Sequence, residues 1–326
     1  MIKYAVILAL SDSSHQSRLT YNRPHTMLPA LGKPLVVRIM ERLHRIGILN
    51  YVVVLGEQEG EVASYLNRSW FPDAEIKFML KSNTESLVKT LGDIARQYQQ
   101  PLVITSYNCF THHNLPEHML KSYTEGQAEL ILSGASTTLS NSTQHYYALM
   151  QGRGVLGIFD TQPATAEGQN ALLLNDLAIC GSAFIDYLAA VPQTRPLTAS
   201  QHFMGITRQY IADGGSSKMV ESAWTLPVKA DTDLLTLNKH LLDEGQNAHI
   251  LSELPGTVQI TPPVRIDPQV SIGHHAQIGP NVYLERGCSV GEHSIIRNAM
   301  ILQSARVPAR QQVENAIIAT RAEIHA

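Results

Sequence analysis

The chain has 326 residues, enough for two domains that each bury a core of their own. Its 25 Lys+Arg and 28 Asp+Glu leave a formal charge of −3, without the basic surplus of a nucleic-acid binder. A charged share of 16% beside 44% hydrophobic residues excludes a disordered chain and points to an oligomer, since a charge-poor surface is commonly covered by association.

Residues 4–10 (YAVILAL) open the chain as a continuous apolar run, the pattern of a strand buried on both faces. Lys3 before this run imitates a signal peptide, but the run is short and no small-residue cleavage site follows, so a first strand is expected. No run approaches the roughly 18 apolar residues of a membrane span, and the expected location is cytoplasmic. Residues 33–48 place Leu35, Ile39, Leu43 and Ile46 at helical spacing, and 51–55 (YVVVL) form the next strand. A helix over 59–67, a strand over 76–80, a helix over 86–98 and a strand over 102–105 follow. Further strands are expected at 129–133, 146–150, 155–159 and 177–185, separated by polar loops at 140–144 and 162–169. A helix over 233–242 (DLLTLNKHLL) closes this part. Strand–helix alternation of this kind builds an α/β domain around a mainly parallel sheet. Domains are expected at 1–245 and 252–326.

Beyond residue 252 the periodicity changes. Ile260, Ile266, Ile272, Ile278, Leu284, Val290 and Ile296 recur every six residues, and Val264, Val270, Ala276, Val282, Cys288 and Ser294 follow each by four. This is the hexapeptide repeat of a parallel β-helix, three hexads to a triangular coil. Seven hexads make a little over two coils, and Ile301, Val307, Val313 and Ile318 extend the pattern more loosely. The repeat is first of all a scaffold and an oligomerisation module. An acyltransferase site would need His274, His275 or His293, which stand at outward positions of the hexads.

Cys109, Cys180 and Cys288 form no CxxC pair and read as reduced thiols. His112-His113 and His274-His275 have no third partner at helical spacing, so no metal site is expected from them.

Residues 5–37 carry a resemblance. Leu19-Thr20, Arg23-Pro24, Met27-Leu28-Pro29 and Gly32-Lys33-Pro34-Leu35 match, without a gap, the opening LAGG-x-GTRL-x-PLT-x-x-RPKPMLP and Gly-Lys-Pro-Leu segments of the sugar-phosphate nucleotidylyltransferases. Gly47-Ile48 with the strand at 51–55, and the helix at 233–242, continue the similarity, and many members of that family end in a hexapeptide β-helix. The resemblance implies a Rossmann-like α/β nucleotidyltransferase domain with a mixed or mainly parallel sheet, followed by a short left-handed parallel β-helix. It also implies transfer of a nucleotidyl group from a nucleoside triphosphate to a sugar 1-phosphate, with magnesium held by carboxylates.

The matching residues are structural; the chemical positions differ. In gapless register the loop glycines become Leu10, Ser11 and Ser13, and a side chain there costs the close backbone approach to phosphate. The loop arginine becomes His15 and the catalytic lysine His25, neither a permanent cation near neutral pH. Gly-Thr-Ala at the base becomes Ser82-Asn83-Thr84, and the first magnesium carboxylate becomes Tyr107, beside Asn108. Glu-Lys-Pro becomes Thr161-Gln162-Pro163, and the second carboxylate falls on Leu226. Loss of one transition-state partner costs about 10²–10³ in rate.

The leading expectation is therefore a catalytically silent or impaired member, working as a structural or regulatory partner. It would be a homo-oligomer through the β-helix or a hetero-oligomer with an active paralogue, and its pocket would still take a nucleotide, nucleotide sugar or sugar phosphate. The residues placed around that pocket are Ser11, Ser13, His15, Arg18, Arg23, His25, Thr84, Asn108 and Asp231. An active enzyme with a rearranged site is the alternative: Arg18 would replace the arginine, His25 would act as a cation at lower pH, and Asp12 and Asp231 would hold Mg2+. Nucleic acid and membrane are not expected as partners.

Overall fold

A computed structural model describes residues 2–11, 17–57, 59–69, 72–126, 128–140, 146–191, 203–245 and 248–325. It divides into two compact units: Met1–Ser11 with Ile39–Pro227, and Asp12–Arg38 with Val228–Ala326. The first boundary falls inside helix α1 (Leu35–His44).

The first unit is a mixed nine-stranded sheet. Its strands are β1 (Tyr4–Ala9), β2 (Asn50–Leu55), β3 (Glu75–Leu80), β4 (Leu102–Ser106), β6 (Leu130–Ala135), β7 (Tyr147–Gln151), β8 (Gly154–Phe159), β9 (Gln169–Cys180) and β10 (Ser217–Ser222), ordered β3-β2-β1-β4-β9-β6-β10-β8-β7. Two short strands, β5 (Cys109–Thr111) and β11 (Thr225–Pro227), pair antiparallel outside it. β1 is central, parallel to β2 on one side and β4 on the other, which is why its residues read as one apolar run. The helices are α2 (Gly60–Ser69), α3 (Leu87–Tyr98), α4 (Leu115–Thr124), α5 (Ser182–Ala190) and α6 (Phe203–Ala212). Ser86 caps α3, its hydroxyl accepting from the Lys89 amide at 3.2 Å.

Two differences from the sequence pattern have local causes. The strand expected over 177–185 is β9, which begins at Gln169 and stops at Cys180. Gly181 then starts α5, whose Ala183 amide donates to the Glu129 carboxylate at 3.0 Å, so Ile185 is helical. Helices α4 and α6 and strand β10 lack a strong period, so the sequence pattern does not single them out. The sheet is mixed, within what the resemblance implies, because β9 runs antiparallel to both β4 and β6. The polar loop expected at 140–144 lies, beyond residue 140, outside the described residues.

The second unit holds the hexapeptide coils. Three parallel sheets stack strand on strand: Gln259–Ile260 pairs with Gln277–Ile278, Val264–Ile266 with Val282–Leu284, and Ser271–Ile272 with Ser289–Val290. Both hexad positions point inward: Ile266, Ile272, Ile278 and Leu284 are buried beside Val264, Val270, Ala276, Val282 and Cys288. The repeat steps by 18 residues in the first coils and by 17 where Ile295↔Gln312 and Val282↔Ala299 pair, which is why the later hexads are irregular in sequence. Gly273 and Gly291 lie where a coil passes its neighbour: a Cβ on them would come within 2.4 and 2.3 Å of the next coil's backbone. The last strand, Glu323–His325, folds back antiparallel on Ala316–Ile318.

Helix α7 (Asp231–Asp243) and residues 17–38 belong to the same unit. Buried Asn238 of α7 accepts from the Leu31 amide at 2.9 Å and donates to the carbonyls of Leu234 and Pro29. Arg38 donates to the carbonyls of Ala30 and Leu31. Gly32 has φ +78° and faces the Arg265 guanidinium, which a Cβ would meet at 2.4 Å, and this accounts for a glycine in the Gly-Lys-Pro-Leu segment.

Candidate functional site

In an open sheet of parallel strands, ligands bind outside the carboxyl ends where the strand order reverses. That place is between β1 and β4: the chain moves from β1 outward to β2 and β3, then returns to β4 on the other side. The strand ends are level, with Ala9 opposite Leu55 and Leu8 opposite Ser106. Leu10 and Ser11 leave β1 here, and Tyr107 and Asn108 leave β4.

Four features define this crevice within the first unit. The Ser11 amide donates to Glu59 Oε1 at 3.3 Å, and Glu59 is 1% exposed. The Tyr107 side chain is buried and its amide donates to the Leu8 carbonyl at 3.2 Å. Asn108 stays half-buried in the turn. On the β2–β3 side, Glu57 accepts from the Asn83 amide at 3.1 Å and from its side-chain Nδ2 at 2.9 Å, while Ser82 and Thr84 hydroxyls meet at 2.7 Å. Glu59 opens a short helix and belongs to no motif, so the sequence alone does not mark it.

Within the second unit, Asp231 sits at the first turn of α7. Its Oδ1 accepts from the Ser17 hydroxyl at 2.5 Å and its Oδ2 from the Arg18 amide at 3.0 Å, so both oxygens hold the stem of the signature segment. The Arg18 side chain is exposed. His25 begins a 3-10 turn (His25–Met27) and is buried. Arg23 forms a two-pronged ion pair with Glu285, at 2.7 and 2.9 Å. Burial alone would lower the Arg23 pKa, but the hydrogen bond and charge of Glu285 outweigh it and hold the guanidinium above its ordinary range. Beside this pair, the Tyr283 hydroxyl donates to Asp267 at 2.7 Å and accepts from the Gly32 amide at 3.0 Å, and Arg265 donates to Asp267 at 2.8 Å.

Residues 260–326 match the GMPPB C-terminal domain family. Over 320 residues, 95% of this chain and 68% of the relative, the chain is 22% identical to the bifunctional protein GlmU of Thermus thermophilus, and equally so in each of two strains of that organism. A 102-residue stretch, 30% of the chain and 24% of the relative, is 30% identical to the bifunctional IPC transferase and DIPP synthase of Aquifex aeolicus. A crystal structure of a Bacillus anthracis protein described as a glucose-1-phosphate thymidylyltransferase, in complex with sucrose, superposes with a TM-score of 0.60. It covers 72% of this chain and 93% of that one at 15% identity, a likeness of fold. Together these matches make the chain similar to the sugar-phosphate nucleotidyltransferases that carry a C-terminal β-helix.

The resemblance places the magnesium carboxylates of those proteins at Tyr107 and Leu226. Magnesium takes carboxylate oxygens and keeps several waters. Tyr107 offers a buried phenol, and Leu226, fully buried, pairs in β11 opposite Phe110. Among the described residues no group of three or more His, Cys, Asp or Glu is arranged to hold a metal ion. The residues described there do not fit magnesium.

The remaining candidates are dispersed. Gln162 is exposed in the loop after β8, and Asp12, Ser13 and His15 lie outside the described residues. The His112 and His113 rings lie 4.3 Å apart. His274, His275 and His293 are exposed on the coils; His275 and His293 stack at 5.0 Å, and His274 bonds Thr257. All three cysteines are buried, and burial raises Cys180 well above the ordinary thiol range. No helix among the described residues is long and apolar enough to cross a membrane.

Proposed function

We propose that this chain is a catalytically silent family member, a regulatory or structural partner whose crevice retains affinity for a nucleotide sugar or an uncharged part of one. The observation that carries this reading is the Ser11–Glu59 contact. An amide at the end of the first strand is the natural donor to a phosphate; here it serves an internal carboxylate that is 1% exposed. An amide committed to this carboxylate is not free to donate to an arriving triphosphate. Tyr107 in place of a carboxylate, and Asp231 given over to Ser17 and Arg18, support the same reading.

The β-helix supplies the means of association, with a second copy of this chain or with an active paralogue. The test is isothermal titration with nucleoside triphosphates and nucleotide sugars, with and without magnesium, beside an assay of pyrophosphate release. Metal-independent binding of a nucleotide sugar and no pyrophosphate release are the expected results. Magnesium-dependent turnover of any triphosphate with a sugar 1-phosphate would overturn the proposal.

A further inference from the structure

The first unit contains a cleft that shares no residue with the crevice at β1 and β4. Its origin is a split in the sheet. β10 pairs along its whole length with β6 on one side, but with β8 only at Gly154↔Lys218 on the other. Beyond that pair no further residue of β8 pairs with β10, and α4 packs against β10, β6 and β9. The open cleft lined by α4, β7, the turn after it, β9 and β10 has a volume of about 480 Å³, within the range of small-molecule sites.

The lining is not that of a packing defect. α4 turns its apolar residues Leu115 and Met119 into the core. The stripe beside them, His118, Lys121, Ser122 and Glu125, follows the i, i+3, i+4, i+7 spacing and faces the cleft. Arg153, Asn170 and Glu221 come in from the turn, β9 and β10. Met150, Leu172 and Met219 form a buried apolar floor. Charges of both signs thus surround one cavity, yet among the described residues neither Lys121 nor Arg153 forms an ion pair there.

We propose that this cleft is a ligand site for a small phosphorylated polyol. Lys121 and Arg153 approach from different elements, so one anionic group can be gripped from two sides, with the guanidinium fork matched to phosphate oxygens. Glu125, Glu221 and the Asn170 amide are acceptors for hydroxyl donors. The carboxylates would repel a bare anion, so the ligand must bring hydroxyls as well as charge. The methionine and leucine floor takes the C–H face of its carbon skeleton. This assignment is independent of whether the crevice is silent or active.

Isothermal titration of the full chain with glucose 6-phosphate, inorganic phosphate and glucose, each alone, tests it. Glucose 6-phosphate is expected to bind at least about tenfold more tightly than either fragment, and Arg153→Gln and Lys121→Gln each to weaken it about tenfold. Both side chains lie at the open rim, Lys121 and Arg153 being exposed, so both variants keep the fold. Equal affinity for phosphate alone, affinity unchanged in both variants, or no binding of glucose 6-phosphate would each overturn the proposal.

Discussion

Arg23 and Glu285 face each other in a fork, Nη1 to Oε1 at 2.7 Å and Nη2 to Oε2 at 2.9 Å, although 262 residues separate them. Their side chains are only 14% and 11% exposed. Glu285 Oε2 also accepts from the Gln303 amide on the following coil at 2.8 Å. The signature segment is thereby bonded to the β-helix within one unit. Glu285→Ala leaves a mostly buried guanidinium without its counter-ion and is expected to cost about 3 kcal/mol. The double variant Arg23→Met/Glu285→Met removes both charges and should regain most of that loss. Denaturant unfolding of the three proteins checks this; a loss under about 1 kcal/mol in Glu285→Ala would show that other contacts hold the segment.

Glu59→Gln tests the internal carboxylate at the Ser11 amide. Two unit charges 4 Å apart interact by about 4 kcal/mol at an effective dielectric of 20, so even a partly screened repulsion is worth a factor of ten in affinity. The variant is expected to bind pyrophosphate and nucleoside triphosphates about tenfold more tightly than the parent chain. Titration calorimetry at fixed ionic strength provides the comparison. Unchanged affinity would mean that anions do not approach Ser11.

Local patterns carry much of this structure in the sequence. The run at β1 and the hexads from Ile260 to Ile296 are legible because burial on both faces and a six-residue turn each impose one repeating pattern. α4 is not, because only Leu115 and Met119 of its ten residues are large, buried and apolar, and its other stripe is polar. The grouping of 12–38 with 228–326 is invisible for a different reason: it rests on Leu31–Asn238 and Arg23–Glu285, contacts spanning more than 200 residues. Tyr107 and Leu226 stand out because the resemblance assigns their positions a charge. Glu59 has no such position, and its role comes from the strand ends alone.

Gly291→Ala probes the coil stacking. A Cβ at this position would lie 2.3 Å from the Ala309 amide nitrogen and 2.5 Å from its Cα, both backbone atoms that cannot swing aside. Overpacking of this kind costs about 1–3 kcal/mol. Because the obstacle is the neighbouring coil, the upper end of that range is expected, whereas Gly256→Ala, with open space around its Cβ position, should be near neutral. Thermal unfolding of the two variants side by side separates these outcomes.

Stability is expected to fall on the alkaline side, and Cys288 is a principal cause. Burial, helped by the nearby Glu285 and Asp267 charges, pushes its thiol up to about 12 from an ordinary 9.0. The same causes raise the Tyr283 hydroxyl well above its usual range. Both groups are acids kept protonated by the fold. Above pH 9 the unfolded chain begins to lose the Cys288 proton while the folded chain keeps it, so the unfolded state binds fewer protons and gains relative stability as pH rises. The contribution of the neutral thiol is complete below pH 9 and is lost as pH approaches about 12. While only the unfolded thiol ionises, the slope is about 1.4 kcal/mol per pH unit. Cys288→Ala is expected to lower stability at about pH 8 by opening a small cavity, yet to show a shallower decline between about pH 9 and 11. Urea unfolding across that range tests this, and parallel curves for the two proteins would exclude Cys288 as the titrating group.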